Sequence, residues 1–126
     1  MKLCAFADEA AADLAGQISA LQRNGISLLE IRGVNGKNIK DMTKSEAREI
    51  KGMLDDAGIS VHSIGSPIGK IALDGDIQSH FDDFQRILET ADILETRYIR
   101  MFSFFPTGVE NQEKIWDLVF KHIERL

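Results

Sequence analysis

Four times along this chain a short apolar run is followed by a segment with helical spacing, and that alternation limits the fold more than any other feature. The runs are residues 2–6, 26–31, 59–64 and 98–102. Behind the first, Leu14, Ile18 and Leu21 recur on one helical face. Behind the second, Ala47, Ile50, Leu54 and Ala57 do the same, introduced by the capping box Thr43-Lys44-Ser45-Glu46. The third is followed by Phe81, Phe84, Ile87, Leu88, Ala91 and Leu94, all expected to face inward. The fourth is followed by Ile115, Trp116, Val119, Ile123 and Leu126, with the same expectation. Asn24-Gly25 closes the first helix, with Gly25 suited to a left-handed cap, and Gly58 ends the second. Gly25-Ile26-Ser27 and Gly58-Ile59-Ser60 are echoes of one another, each launching a strand from a helix end. Alternating strands and helices call for a parallel sheet with right-handed crossovers. The class is therefore α/β, with four βα units in one domain over residues 1–126.

Two architectures satisfy that order. Four βα units are half of a (β/α)8 TIM barrel, whose usual length is roughly 250 residues. The fourth helix reaches Leu126 with its apolar stripe intact and no glycine, asparagine or proline stop. The amino-terminal half of a barrel is thus expected. The alternative is a self-sufficient, flavodoxin-like doubly wound domain. Unpaired edge strands invite pairing, so a homodimer through open sheet edges is a candidate assembly.

Charge and cysteine usage narrow the partners. A net charge of −5 disfavours a nucleic-acid backbone and an anionic membrane surface. No apolar segment is long enough to span a bilayer, and Asp8 and Glu9 interrupt the first apolar run, so no signal peptide is expected. The single cysteine, Cys4, excludes an internal disulfide and Cys-rich zinc patterns. It is expected as a small buried strand residue in a protein of the cytoplasm.

Chemistry-bearing residues gather where strands end. Glu30 and Arg32 alternate with Leu29 and Ile31 and share one face of their strand. Tyr98, Arg100 and Phe102 share a face of theirs. A buried arginine needs a carboxylate or a ligand, and Glu30 is the obvious carboxylate for Arg100. The stretch Val61-His62-Ser63-Ile64-Gly65-Ser66-Pro67-Ile68-Gly69-Lys70 runs from strand into a glycine-bearing loop. Carboxyl ends of parallel strands are where such folds place ligands. Two glycines, the Ser66 hydroxyl and Lys70 suggest a phosphate cradle, although the spacing is not that of a Walker A loop. Phe104 and Phe105 read either as an apolar wall or as packing beneath a loop. The segment Gly33-Val34-Asn35-Gly36-Lys37-Asn38 reads as loop, and Asp8 or Glu9 as the start of the first helix. A response-regulator reading of that acidic pair fails, because Ser63 and Ile64 stand where the phosphate-accepting aspartate is required.

Three stretches together resemble one family. They are Leu29-Glu30-Ile31-Arg32-Gly33-Val34-Asn35-Gly36-Lys37-Asn38-Ile39, Ser63-Ile64-Gly65-Ser66-Pro67-Ile68-Gly69-Lys70, and Tyr98-Ile99-Arg100-Met101-Phe102-Ser103-Phe104-Phe105. They are similar to the sugar phosphate isomerase/epimerase family, the xylose-isomerase-like TIM barrels that include tagatose epimerases and endonuclease-IV-type enzymes. The resemblance runs over nearly all of this chain and over the amino-terminal half of the family's barrel. It implies interconversion of keto sugars or sugar phosphates by metal-assisted proton transfer. It also implies that the divalent metal's ligands and the main acid/base glutamates belong to later strands. No metal ligand or catalytic residue is therefore assigned here, and the chain alone is expected to be inactive. What remains is a substrate-binding set, Glu30, Arg32, His62, Ser66, Lys70 and Arg100, for a small sugar or sugar phosphate. The endonuclease-IV-type relatives carry a zinc-binding histidine near the end of the third strand. His62 sits deeper, and Arg100 and Met101 stand where the fourth strand would need a matching histidine. His62 is accordingly expected as a substrate contact.

Overall fold

The computed structural model describes residues 1–107 and 111–126; Gly108, the end of the predicted fourth loop, lies outside them. In chain order the elements are β1 (Cys4–Ala5), α1 (Leu14–Arg23), β2 (Leu28–Ile31), β3 (Gly33–Val34), β4 (Lys37–Asn38), a 3-10 turn (Ile39–Asp41), α2 (Lys44–Asp56), β5 (Ser60–Gly65), α3 (Ile77–Ile93), β6 (Ile99–Arg100) and α4 (Gln112–Ile123). Each predicted apolar run contributes a strand, and each helical segment a helix. The four main strands are parallel, in the spatial order β1-β2-β5-β6.

That order is sequential, and it decides how the sheet is wound. Right-handed crossovers that always step to the next strand on the same side deposit their helices on one face. A doubly wound sheet needs a reversal of strand order, and these four strands have none. The burial pattern agrees. Leu29 and Ile31 are each 1% exposed and share a core with Leu14, Leu21, Ala47, Ile50, Leu54, Ile64, Ile87 and Ala91 from strand β5 and helices α1 to α3. The alternate residues face away from the helices. Phe6 and Phe102 are each 37% exposed and Tyr98 is 62% exposed. Cys4 lies on an exposed strand end rather than in the core, because β1 is an edge strand whose alternate face has no covering layer.

Local chemistry explains where the elements depart from the pattern. Residues 33–38 form a tight hairpin, not an irregular loop. Asn35 and Gly36 have φ of 55° and 74°, and two consecutive left-handed residues are what the favoured two-residue hairpin turn requires. Helix α1 is capped by Asp13, whose Oδ2 accepts the Gly16 N–H at 2.9 Å. Asp8 and Glu9 lie upstream, in a turn where the Ala10 and Ala11 N–H groups bond to the Ala7 carbonyl. The inward face of α3 follows the apolar pattern at Phe84, Ile87, Ala91 and Leu94 and extends to polar residues beside it. His80, Asp83, Ile87, Thr90 and Ala91 are buried, whereas Leu88 is exposed. Polar groups go inward there because they find partners: His80 Nε2 accepts the Gly69 N–H, Asp83 accepts from Lys40 Nζ at 3.1 Å, and the Thr90 hydroxyl donates to the Arg86 carbonyl at 3.0 Å. Helix α4 carries Glu113, Lys114, Asp117 and Lys121 on one face and a broad apolar face opposite, of which Val119 is the buried residue. It packs with Ile115 and Leu118 on Leu73 and Phe104, leaving Trp116 and Ile123 exposed instead of inward.

The capping box of α2 forms as expected. Thr43 Oγ1 accepts the Glu46 N–H at 3.2 Å, and Glu46 Oε2 accepts the Thr43 N–H at 2.8 Å. Lys37, on β4, adds an ion pair to Glu46 Oε1 at 2.7 Å and ties the hairpin to the helix. Lys37 and the Thr43 bonds hold the Glu46 carboxyl down at about 2. Thr43→Ala removes the hydroxyl half of the box, leaving the backbone N–H of residue 43 to Glu46, and is expected to cost about 1 kcal/mol in a urea titration.

Candidate functional site

Because the strands are parallel, their carboxyl ends lie side by side and deliver one cluster of side chains. An open cleft of about 470 Å³ sits there, lined by Asp8, Arg32, Lys37, Asn38, Lys70 and Arg100, with Gly65, Pro67 and Phe102. Asp8 follows β1, Arg32 follows β2, Gly65 ends β5 and Arg100 ends β6.

Two carboxylate–guanidinium pairs form the centre of the cluster. Arg32 Nε lies 3.1 Å from both Asp8 oxygens, its Nη2 lies 2.9 Å from Asp8 Oδ1, and the same Nη2 reaches Glu9 Oε1 at 2.9 Å. These bonds, those to Asp8 above all, raise the Arg32 pKa and keep it charged. Arg100 Nε donates to Glu30 Oε1 at 2.6 Å. The partner expected for Arg100 is thus the one it has. Arg32 takes its carboxylates from the loop after β1, not from its strand neighbour Glu30. Both guanidinium groups also lie near Phe6, at 4.3 Å for Arg32 and 5.5 Å for Arg100, and Arg100 is 5.3 Å from Phe102.

Gly65 makes room for this arrangement. A Cβ there would stand 2.6 Å from Arg32 Cγ, 2.8 Å from Arg100 Nη2 and 2.9 Å from Glu30 Oε1. The charged side chains therefore occupy the space that any other residue would fill.

The loop after Gly65 is a scaffold and not a phosphate cradle. The Ser66 N–H bonds to the Arg100 carbonyl at 3.1 Å, the Ile68 N–H to Ser66 Oγ at 3.3 Å, and the Lys70 N–H to the Pro67 carbonyl at 3.0 Å. The Gly69 N–H is taken by His80 Nε2. With Pro67 having no N–H, residues 66–70 have none left for a phosphate. Ser66 is 1% exposed, and its hydroxyl donates to the Arg100 carbonyl at 2.7 Å. It fixes the backbone beneath the cluster rather than reaching into it. Lys70 is exposed, 5.7 Å from the Phe102 ring, and makes no ion pair among the described residues.

His62 lies outside the cleft lining. The β2–β5 register runs Leu29 to Val61 and then Glu30 to Ser63, so His62 is the extra residue of a bulge. Its side chain is exposed with its ring 5.4 Å from Tyr98, and its carbonyl accepts the Thr96 hydroxyl at 2.7 Å. Of the six predicted contacts, Arg32, Ser66, Lys70 and Arg100 line the cleft, Glu30 stands behind it as the partner of Arg100, and His62 lies outside it. Phe104 is buried at 6% exposure and packs beneath the loop, while Phe105 is 50% exposed.

Two participants were not predicted. The sequence suggests a helix start at Asp8; the signal for its place against Arg32 is an acidic pair directly after one strand and basic residues ending two others. His80 had no such signal, being one polar residue in a helix. It is 6% exposed and accepts a backbone N–H, which requires a neutral ring. Burial, and more weakly Lys40, lowers its pKa, while Asp83 opposes them. A lowered histidine pKa means that the unfolded chain binds a proton the native chain refuses. Stability is therefore full above the ordinary value of 6.5 and falls as pH drops below it. Urea midpoints measured from pH 8 to pH 5.5 should show this decline. His80→Gln, which keeps an acceptor that does not titrate, should flatten it.

Among the described residues no three His, Cys, Asp or Glu side chains come together as a metal's ligand set. Asp8 and Glu9 face Arg32 and Glu30 faces Arg100, so the carboxylates of the cleft are already matched to cations. No described helix is long and apolar enough to cross a membrane. Neither protein-family models nor curated proteins give a match to the chain.

Proposed function

We propose that this chain is the amino-terminal, substrate-facing (βα)4 half of a cytoplasmic TIM-barrel isomerase or epimerase acting on keto sugars. The observation that supports it most is the Asp8–Arg32 and Glu30–Arg100 pairs at the carboxyl ends of sequentially ordered parallel strands. Sugar hydroxyls both donate and accept, and carboxylates alternating with guanidinium groups offer both complements. The rings of Phe6 and Phe102 supply apolar surface for the C–H face of a sugar. The committed N–H groups of residues 66–70 favour a neutral keto sugar over a sugar phosphate.

The chemistry assigned to this half is binding and charge stabilisation. Removing a proton next to a carbonyl leaves an enediolate, whose oxygen gains negative charge. Among the described residues the Nη groups of Arg100 have no protein partner, so they can donate to that oxygen. Glu30 holds the guanidinium in place. The carboxylate that moves the proton comes from outside this chain. The purified chain should bind ketohexoses or ketopentoses with millimolar affinity and show no turnover, with or without divalent metal. Robust metal-dependent epimerisation by the chain alone, or no ketose binding at all, would falsify the assignment.

A further inference from the structure

We propose that His80 is a positioning residue for the cleft and works as a pH latch: its neutral ring holds residues 69–73 closed, and protonation releases that segment, Lys70 with it. The inference is independent of what the cleft binds. Two apolar clusters define the part that can open. Ile68 is fully buried in the main core with Leu29, Ile31, Ile64 and Ile87. Just beyond it, Leu73, Phe104 and Val119 form a separate small cluster. A small satellite cluster opens at lower free energy than a main core. Gly69 stands at the junction, with φ of 78°. Its N–H donates to His80 Nε2, and its carbonyl accepts the Phe104 N–H at 2.9 Å. From there the segment is zipped to the stretch after β6. The Phe105 N–H donates to the Ile71 carbonyl at 2.8 Å, and the Leu73 N–H to the Phe105 carbonyl at 3.0 Å. His80 is the side chain by which α3 holds the start of this zipper, and Lys70, one residue on, lines the cleft.

A proton on Nε2 turns the acceptor into a second donor facing the Gly69 N–H, and it puts charge on a ring that is 6% exposed. The surrounding groups do not offset this. On α3, Asp83 favours the charged ring, but its carboxylate is already paired with Arg86 and with Lys40 Nζ at 3.1 Å, from the 3-10 turn. Lys40 itself disfavours that charge. Lys70, Asp74 and Asp76, on the segment and just after it, are exposed and so screened by water. The Phe104 ring lies 6.4 Å from that of His80 and 5.1 Å from that of His122, on α4. His122 Nε2 bonds to the Leu73 carbonyl at 3.0 Å. It is the donor there in either protonation state, so its own titration leaves that bond in place.

Native-state hydrogen exchange on the nitrogen-15-labelled full chain, between about pH 7.5 and about pH 5.5 and corrected for intrinsic rates, tests this. Protection at the Gly69, Lys70, Leu73 and Phe104 amides should fall about tenfold by one pH unit below 6.5, the ordinary value that a released His80 regains. Exchange at these amides should depend little on low urea, as for a local opening. Ile59 and Ile64, in the main core, should stay far more protected and show a steep urea dependence. His80→Gln, which accepts without titrating, should keep protection within about twofold across the range. His122→Gln should leave the tenfold fall intact. Should His80→Gln not fold, the urea dependence of the unaltered chain still decides. If the four amides share the protection and urea slope of Ile59 and Ile64, the proton acts through global unfolding alone and the latch is overturned. A fall that persists in His80→Gln, or one at Gly69 that leaves Lys70 protected, overturns it as well.

Discussion

Gly69→Ala should destabilise the chain by about 3 kcal/mol, a large part of the total for a domain of this size. Two effects combine. Gly69 has φ of 78°, where an alanine is strained by about 1–2 kcal/mol. A Cβ there would also lie 1.8 Å from the Phe102 carbonyl oxygen and 2.5 Å from its carbon. That neighbour is backbone and cannot swing aside, so the loop must move, at a cost of about 1–3 kcal/mol more. Movement would break a zipper, because Phe102 and Phe104 donate to the carbonyls of Ile68 and Gly69 at 2.7 Å and 2.9 Å. The control is Gly58→Ala, at φ of 71° with nothing near its Cβ, which should cost about 1 kcal/mol from strain alone. Urea denaturation of the two variants separates the terms. Equal costs would mean that the contact between the loop and residues 102–104 is not close.

Arg100→Gln should have the opposite profile, with a small effect on stability and a large one on binding. The Glu30–Arg100 pair is partly open to solvent, with side chains 18% and 37% exposed, so its loss should cost no more than about 1 kcal/mol of stability. Ketose affinity should fall roughly tenfold or more, because a charged donor to the sugar is removed and Glu30 is left without its cation. Lys70→Gln, at the rim of the cleft, should weaken binding less. Isothermal titration with a ketohexose, beside a melt of each variant, reads both quantities. A variant that melts early yet binds normally would reverse the assignment and make Arg100 a structural residue.

How much of this was legible in the sequence depends on whether the signal was periodic or spatial. The four βα units were readable because strand and helix periods differ and because Gly25 and Gly58 mark helix ends. The α2 capping box was readable because its two residues are three apart and act locally. The pairing of Glu30 with Arg100 followed from the cost of an unpartnered strand arginine. The hairpin at residues 33–38 was misread although Asn35-Gly36 is a turn signal, since its flanking strands are only two residues each. His62 was misplaced by a bulge, which changes which residue lies opposite Glu30 without altering the apolar pattern. Apolar spacing located Phe84, Ile87, Ala91 and Leu94 on the inner side of α3 but not His80, Asp83 and Thr90, whose burial depends on polar partners, and on α4 the small cluster around Leu73 and Phe104 leaves Trp116 and Ile123 outward. The phosphate-cradle reading of residues 65–70 needed knowledge of where each N–H goes, and the partners Arg100 and His80 are distant in sequence.

The most direct test of the central claim is a ketohexose titration of nitrogen-15-labelled chain, followed through the arginine Nε–H signals and backbone amides. The account predicts saturable shifts at the Arg32 and Arg100 Nε–H groups and at the Gly65 and Lys70 amides, with His62 and Tyr98 unmoved. Shifts centred on His62 and Tyr98, or no shift at saturating sugar, would contradict it.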